Sequence, residues 1–216
     1  DTTAPVITLL GQSSVTIEVG STYTDAGATA MDNYDGDITD QLVVVGLPVD
    51  TSVVGTVMIT YNVVDNVGTA AEPVTREVIV VDTVAPVITL LGESSVTIAL
   101  GSDYQDAGAT AMDNYDGDIT DQLVFVGLPV DTSVVGTATI IYNVVDNAGT
   151  AAISVTREVI VVDTTAPVIT LLGQSSVTIE AGATYTDAGA TAMDNYDGDI
   201  TDQLVVIGLP VDTSVL

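Results

Sequence analysis

Carboxylates at close, repeated spacing dominate the chemistry available to this chain. The stretch MDNYDGDITDQLV, residues 31–43, places Asp32, Asp35, Asp37 and Asp40 within nine residues and returns unchanged at residues 112–124 and 193–205. Four carboxylates this close repel one another unless they are spread over a wet surface, bonded to backbone amides or gathered round a cation. Calcium takes roughly six to eight oxygen ligands, and one such loop offers several carboxylates together with carbonyls.

The metal candidates in the first repeat are Asp25, Asp32, Asp35, Asp37, Asp40, Asp65 and Asn66. Their counterparts in the second are Asp106, Asp113, Asp116, Asp118, Asp121, Asp146 and Asn147, and in the third Asp187, Asp194, Asp197, Asp199 and Asp202. The residues that start each repeat, Asp1, Asp82 and Asp163, bring one more ligand to a junction. The competing reading makes the loop aspartates Asx-turn and cap residues of a hydrated loop, and the sequence leaves both open. The pattern is not an EF-hand, because Tyr34 stands two residues after the first Asp where a ligand is needed. With no His or Cys in the chain, Ca2+ is the expected ion and transition metals are disfavoured.

Enzyme readings fare poorly. Paired carboxylates hydrolyse glycosides in clefts flanked by sugar-binding surfaces, yet the chain has one Phe, no Trp, no His and no nucleophile motif. The formal net charge of -28, with two arginines as the whole basic complement, excludes ordinary nucleic-acid binding. A 47% apolar composition and a mean hydropathy of +0.50 argue against disorder despite that charge. Such a chain suits surroundings rich in salt or divalent ions, which screen its self-repulsion. No run has the length or purity of a membrane span, and nothing resembles a signal peptide, so the chain reads as a processed or excised part of something longer.

The elements that must position the carboxylates follow from an internal period. DTTAPVITLLG at Asp1 reappears as DTVAPVITLLG at Asp82 and DTTAPVITLLG at Asp163, a spacing of 81 residues. The expected domains are residues 1–81, 82–162 and 163–216, the third lacking its last two strands because nothing in it corresponds to residues 55–81. It is a fragment of a longer array, or a neighbouring molecule completes it. The first two repeats differ at 13 of 81 positions, so invariance between them does not separate function from recent duplication.

Within a repeat, residues 5–10 read as a strand and Val15, Ile17 and Val19 as the buried face of a second, with Glu18 on the exposed side because Ala99 replaces it in the next repeat. Residues 23–30 read as a loop or short edge strand, with Asp25 free to turn toward the acidic loop. Residues 42–47 form a strand, and residues 49–55 a short strand and turn. Val57, Ile59, Tyr61 and Val63 then share a buried face, and Val78 and Val80 supply the last one. Arg76 and Arg157 either pin a carboxylate in their own repeat or face solvent. Seven or so short strands without helical periodicity predict an all-β fold of tandem β-sandwiches. The repeats join without a Gly/Ser linker, which predicts a semi-rigid rod.

The order DTTAPVITLLG, VTIEVGSTYTDAGATAMDNYDGDIT, VDTSVVGTVMITYNVVDNVGTAA and REVIVVD resembles the bacterial immunoglobulin-like domains found in tandem in large surface proteins and adhesins, a module also known from pesticidal crystal proteins. The resemblance spans essentially the whole chain. It implies an immunoglobulin-like Greek-key sandwich, export to the cell surface or medium, and a role as spacer or adhesive stalk. The family's DGDIT turn falls on residues 35–39 and its DxxG turn on residues 65–68; where the family has Asn after that Gly, this chain has Thr69 and Thr150. A chain without lysine cannot form the Lys–Asn isopeptide bonds of some bacterial stalks.

The expected function is therefore a structural spacer of a calcium-stabilised bacterial extracellular adhesin, filament or surface protein, partnered by neighbouring repeats or by identical subunits in a filament. One alternative is a module that binds a glycan or surface protein, for which Tyr34, Tyr115 and Tyr196 are the repeated candidates. Another is a fibre subunit completed by strand donation.

Overall fold

The computed structural model describes residues 1–214. Seven strands build the first repeat: β1 (Val6–Leu9), β2 (Ser14–Glu18), β3 (Ala28–Asp32), β4 (Gly36–Asp37), β5 (Val43–Val45), β6 (Gly55–Asn62) and β7 (Val74–Val81). They form a three-stranded sheet, β1-β3-β4, and a four-stranded sheet, β2-β7-β6-β5. All neighbours are antiparallel except β2, which runs parallel to β7 with Val15 opposite Val78 and Ile17 opposite Val80. The second repeat reproduces this with β8 (Val87–Leu90), β9 (Ser95–Ala99), β10 (Ala109–Asp113), β11 (Gly117–Asp118), β12 (Val124–Val126), β13 (Gly136–Asn143) and β14 (Val155–Val162). These are tandem all-β sandwiches.

By its internal contacts the chain divides into two compact units. One comprises Asp1–Gly92, Ala107–Val126 and Ile141–Val155; the other comprises Glu93–Asp106, Gly127–Ile140 and the residues from Thr156 onward. The first repeat and its boundary with the second lie wholly within the former.

Alternation decides the core. Ile59, Tyr61 and Val63 of the β6 run and Val78 of β7 meet Ile7, Ala28, Ala30 and Ile38 between the sheets. Met58, on the opposite face of β6, stays exposed. The exchanges Met58 to Thr139 and Thr60 to Ile141 thus avoid the buried side.

Two expectations need correction. Of residues 23–30, expected as a loop or short edge strand, residues 23–27 are a loop, but 28–30 belong to Ala28–Asp32, the central and not an edge strand of the smaller sheet, with Ala28, Ala30 and Asp32 inward. Its core side chains are small, so the alternation carries little hydropathy signal. Residues 49–54 form no strand. Gly46, which precedes them, has φ +99°, and a Cβ there would stand 2.4 Å from the Met58 carbonyl oxygen. Replacing Gly46 by alanine is therefore expected to destabilise the first repeat by more than about 1 kcal/mol, read from urea midpoints. The same change at Gly208, where nothing lies within 4 Å, should cost less.

Among the described residues the third repeat has β15 (Val168–Leu171), β16 (Ala190–Asp194) and β17 (Gly198–Asp199), paired as one sheet. Residues 176–180 match β2 in sequence but are not a strand. In the complete repeats that segment pairs with β7 or β14, for which these residues offer no counterpart. Ile169 is accordingly 62% exposed, whereas its counterpart Ile7 is 8% exposed.

Candidate metal centre

The edge of the smaller sheet delivers the acidic loop. Asp32 ends β3 facing inward, and the Gly36 turn (φ +73°) folds the chain back so that Asp32 pairs with Gly36. One Asp32 oxygen, Oδ1, accepts the amides of Tyr34 (2.8 Å) and Asp35 (2.9 Å). Across the sandwich, Asp65 Oδ1 accepts the amides of Val67 (2.9 Å) and Thr69 (2.7 Å) in the turn after β6. Asp35 ties loop to turn, its Oδ2 accepting the Asn66 amide at 2.9 Å. The second repeat repeats this with Asp113 on Tyr115 and Asp116, Asp146 on Thr150, and Asp116 on Asn147.

The other oxygens carry the chemistry. Oδ2 of Asp32, Asp65, Asp82, Asp113 and Asp146 is buried and has no hydrogen-bond partner, on residues only 5–8% exposed. Carboxylate oxygens of Asp1, Asp32 and Asp65 lie within 4.8 Å of one another, as do those of Asp82, Asp113 and Asp116. An anionic oxygen without a donor is costly when buried. Backbone turns thus hold one oxygen of Asp32, Asp65, Asp113 and Asp146 and leave the other without a donor, and the two groups of three carboxylates could hold a hard cation.

The electrostatics agree with this division. The amides of Asp35 and Tyr34 hold the Asp32 carboxyl below the usual aspartate range. Burial pushes Asp65 up, but the Thr69, Val67 and Gly68 amides bring it below that range. Burial pushes Asp82 up, and the charges of Asp113, Asp146 and Glu18 add to the rise.

Other candidates lie elsewhere. Asp25 and Asp106 do not join the carboxylate groups; they form buried ion pairs with Arg76 and Arg157. Asp187 accepts the Tyr185 hydroxyl and the Gly189 amide. Asp37, Asp118 and Asp199 each cap a threonine amide, of Thr39, Thr120 and Thr201, at 3.0 Å. Asp40, Asp121 and Asp202 stand on 3-10 turns outside both carboxylate groups. Asn66 and Asn147 contribute backbone amides to the ties just described. In the third repeat Asp163 and Asp194 are only half-buried, and Asp194 takes the amides of Tyr196 and Asp197.

Tyr34 is 78% exposed. Tyr115 is 40% exposed, and its hydroxyl accepts the Val54 amide of the preceding repeat at 3.3 Å; Tyr196 is also exposed. Sequence reasoning missed Glu18 of β2. Its carboxylate accepts the Thr83 amide (3.1 and 3.2 Å) and the Thr83 hydroxyl (2.6 Å), and these bonds hold it below the usual glutamate range. The Glu18 to Ala99 exchange suggested an idle position, while the partner lies 65 residues away.

No helix among the described residues is long and apolar enough to cross a membrane. The chain is 30% identical over 223 residues to the pesticidal crystal protein Cry22Aa of Bacillus thuringiensis, covering 93% of this chain and 28% of that protein. It is 29% identical over 202 residues to hyalin of Strongylocentrotus purpuratus, covering 88% of this chain and 17% of hyalin. It thus spans less than a third of either relative. A solved lipoprotein of Bacteroides thetaiotaomicron, BT2262, aligns with 71% of this chain and 80% of its own at 15% identity and a TM-score of 0.34. The family described as the Ig-like domain of bacterial surface proteins matches at residues 7–80, 88–161 and 169–216. With two seven-stranded sandwiches and three family matches in one register, the chain belongs to the bacterial surface protein Ig-like domain family.

Proposed function

We propose that this chain is a non-catalytic, calcium-stabilised spacer of a bacterial extracellular or surface protein. One observation carries the calcium reading: five buried carboxylate oxygens without a hydrogen-bond partner, four of them at matching positions of two repeats, Asp32 with Asp113 and Asp65 with Asp146, and the fifth on Asp82. Calcium is the divalent ion this donor set suits, since it accepts many oxygen ligands in flexible geometry, whereas magnesium keeps several waters. The spacer reading is supported by near-identical sandwiches joined end to end, with the acidic groups beside the start of each repeat instead of in a cleft.

Calorimetric melting in millimolar calcium and in excess chelator tests the reading. An ion at about 100 times its Kd adds about 2.7 kcal/mol to the state that binds it. For a domain of this size that is a rise on the order of 10–20 °C. Equal melting temperatures in calcium and chelator would remove the calcium reading.

A further inference from the structure

An acidic side chain of the first repeat stands beside the second repeat's carboxylate group. Glu18 sits at the end of β2 in the first repeat, and two donors of Thr83 hold its carboxylate one residue from Asp82. Asp82 Oδ2 is among the buried oxygens without a donor, and Asp113 and Asp116 close the group. Glu18 thus adds negative charge where charge is already crowded. In the absence of a cation this placement sets the first repeat against the second; with a divalent cation between the carboxylates the same charge becomes attractive.

We propose that Glu18 couples the first two repeats through the cation: its carboxylate completes the charge set of the Asp82, Asp113 and Asp116 site, so that ion binding and docking of the repeats form one linked equilibrium. This rests on the calcium reading above. Linkage is reciprocal, so whatever factor Glu18 adds to ion affinity, the ion returns to the strength of the boundary. The Tyr115 hydroxyl on the Val54 amide is the second contact this linkage tightens. The first repeat's carboxylate group, Asp1 with Asp32 and Asp65, does not include Glu18. Ala99 carries no carboxylate, so the boundary before Asp163 lacks the link, and the two boundaries of one chain respond differently to the same ion.

Calcium titration calorimetry on the whole chain separates the possibilities. Asp32→Asn and Asp113→Asn first assign the two sites. Glu18→Ala is then expected to weaken the Asp113-dependent site about tenfold, within the usual span of coupling between sites, and to leave the Asp32-dependent site unchanged. Thr83→Val keeps every carboxylate but removes the hydroxyl that holds Glu18, and it should weaken the same site in the same direction. A Glu18→Ala chain that titrates like its parent overturns the coupling and leaves the calcium reading standing. A parent chain that takes up no calcium overturns both.

Discussion

Replacing Arg76 by alanine is expected to destabilise the first repeat by about 3–5 kcal/mol, the cost of leaving one partner of a buried ion pair uncompensated. Arg76 is 1% exposed and is among the largest fully buried side chains. Its guanidinium pairs with Asp25 and donates to the Gln12 carbonyl at 2.8 Å, the Gly27 carbonyl at 3.2 Å and the Leu10 carbonyl. It therefore binds β7 to the turn between β1 and β2 and to the end of the loop between β2 and β3. Asp25 also accepts the hydroxyls of Tyr23 and Tyr61 and the Gly27 amide, so removing the arginine strands a buried carboxylate with two phenols.

Burial alone would raise the Asp25 carboxyl, but the Tyr61 hydroxyl, Arg76 and the Tyr23 hydroxyl outweigh it and hold it below the ordinary value. A depressed carboxyl contributes stability that is present above its unfolded value and is lost as pH falls through the folded one. The parent chain should therefore lose this contribution below about pH 4, and Arg76→Ala should have little of it left to lose. Urea denaturation of both chains at neutral and acid pH reads the difference. A neutral-pH loss under about 1 kcal/mol would place the pair with surface ion pairs.

Much of this architecture is legible in the residues, and what is not has definite causes. Ile59, Tyr61 and Val63 alternate with exposed neighbours, and large side chains make that period visible. Ala28 and Ala30 alternate equally well, but beside Gly27 and Asp25 their small side chains look like a loop. The acidic stretch announces carboxylates without saying which converge. Asp32 and Asp37 lie on the same short hairpin, yet only Asp32 ends a strand with its side chain inward, while Asp37 turns back to Thr39. Asp65 joins Asp32 from 33 positions away because the β6 turn ends at the same edge of the sandwich. Asp25 and Arg76 are 51 residues apart, and the sequence has no local pattern that joins a loop residue before β3 to a residue of β7. Comparing repeats misled at Glu18, because a residue that acts on the next repeat differs where that junction differs.

Replacing Asp82 by asparagine is expected to change sign with the ion. In chelator the ionised side chain is buried, its Oδ2 has no donor, and Asp113, Asp146 and Glu18 repel it. A group whose folded pKa is raised favours folding at low pH and works against it once ionised. Asparagine keeps the shape and removes the charge, so in chelator at neutral pH Asp82→Asn should melt above its parent. On the proposed calcium reading the same carboxylate is a ligand in saturating calcium, and a site that no longer fills forfeits up to about 2.7 kcal/mol at 100 times the parent Kd. The order of the melting temperatures should therefore reverse, with the variant below its parent. Asp37→Asn provides the contrast: its carboxylate caps Thr39 outside the group, so its effect should have one sign and nearly one size in both media. A variant at Asp82 that lies on the same side of its parent with and without calcium would mean that the buried oxygens face no ion. The crossing of the curves, more than the size of either shift, distinguishes a carboxylate that serves a cation from one that serves only a turn.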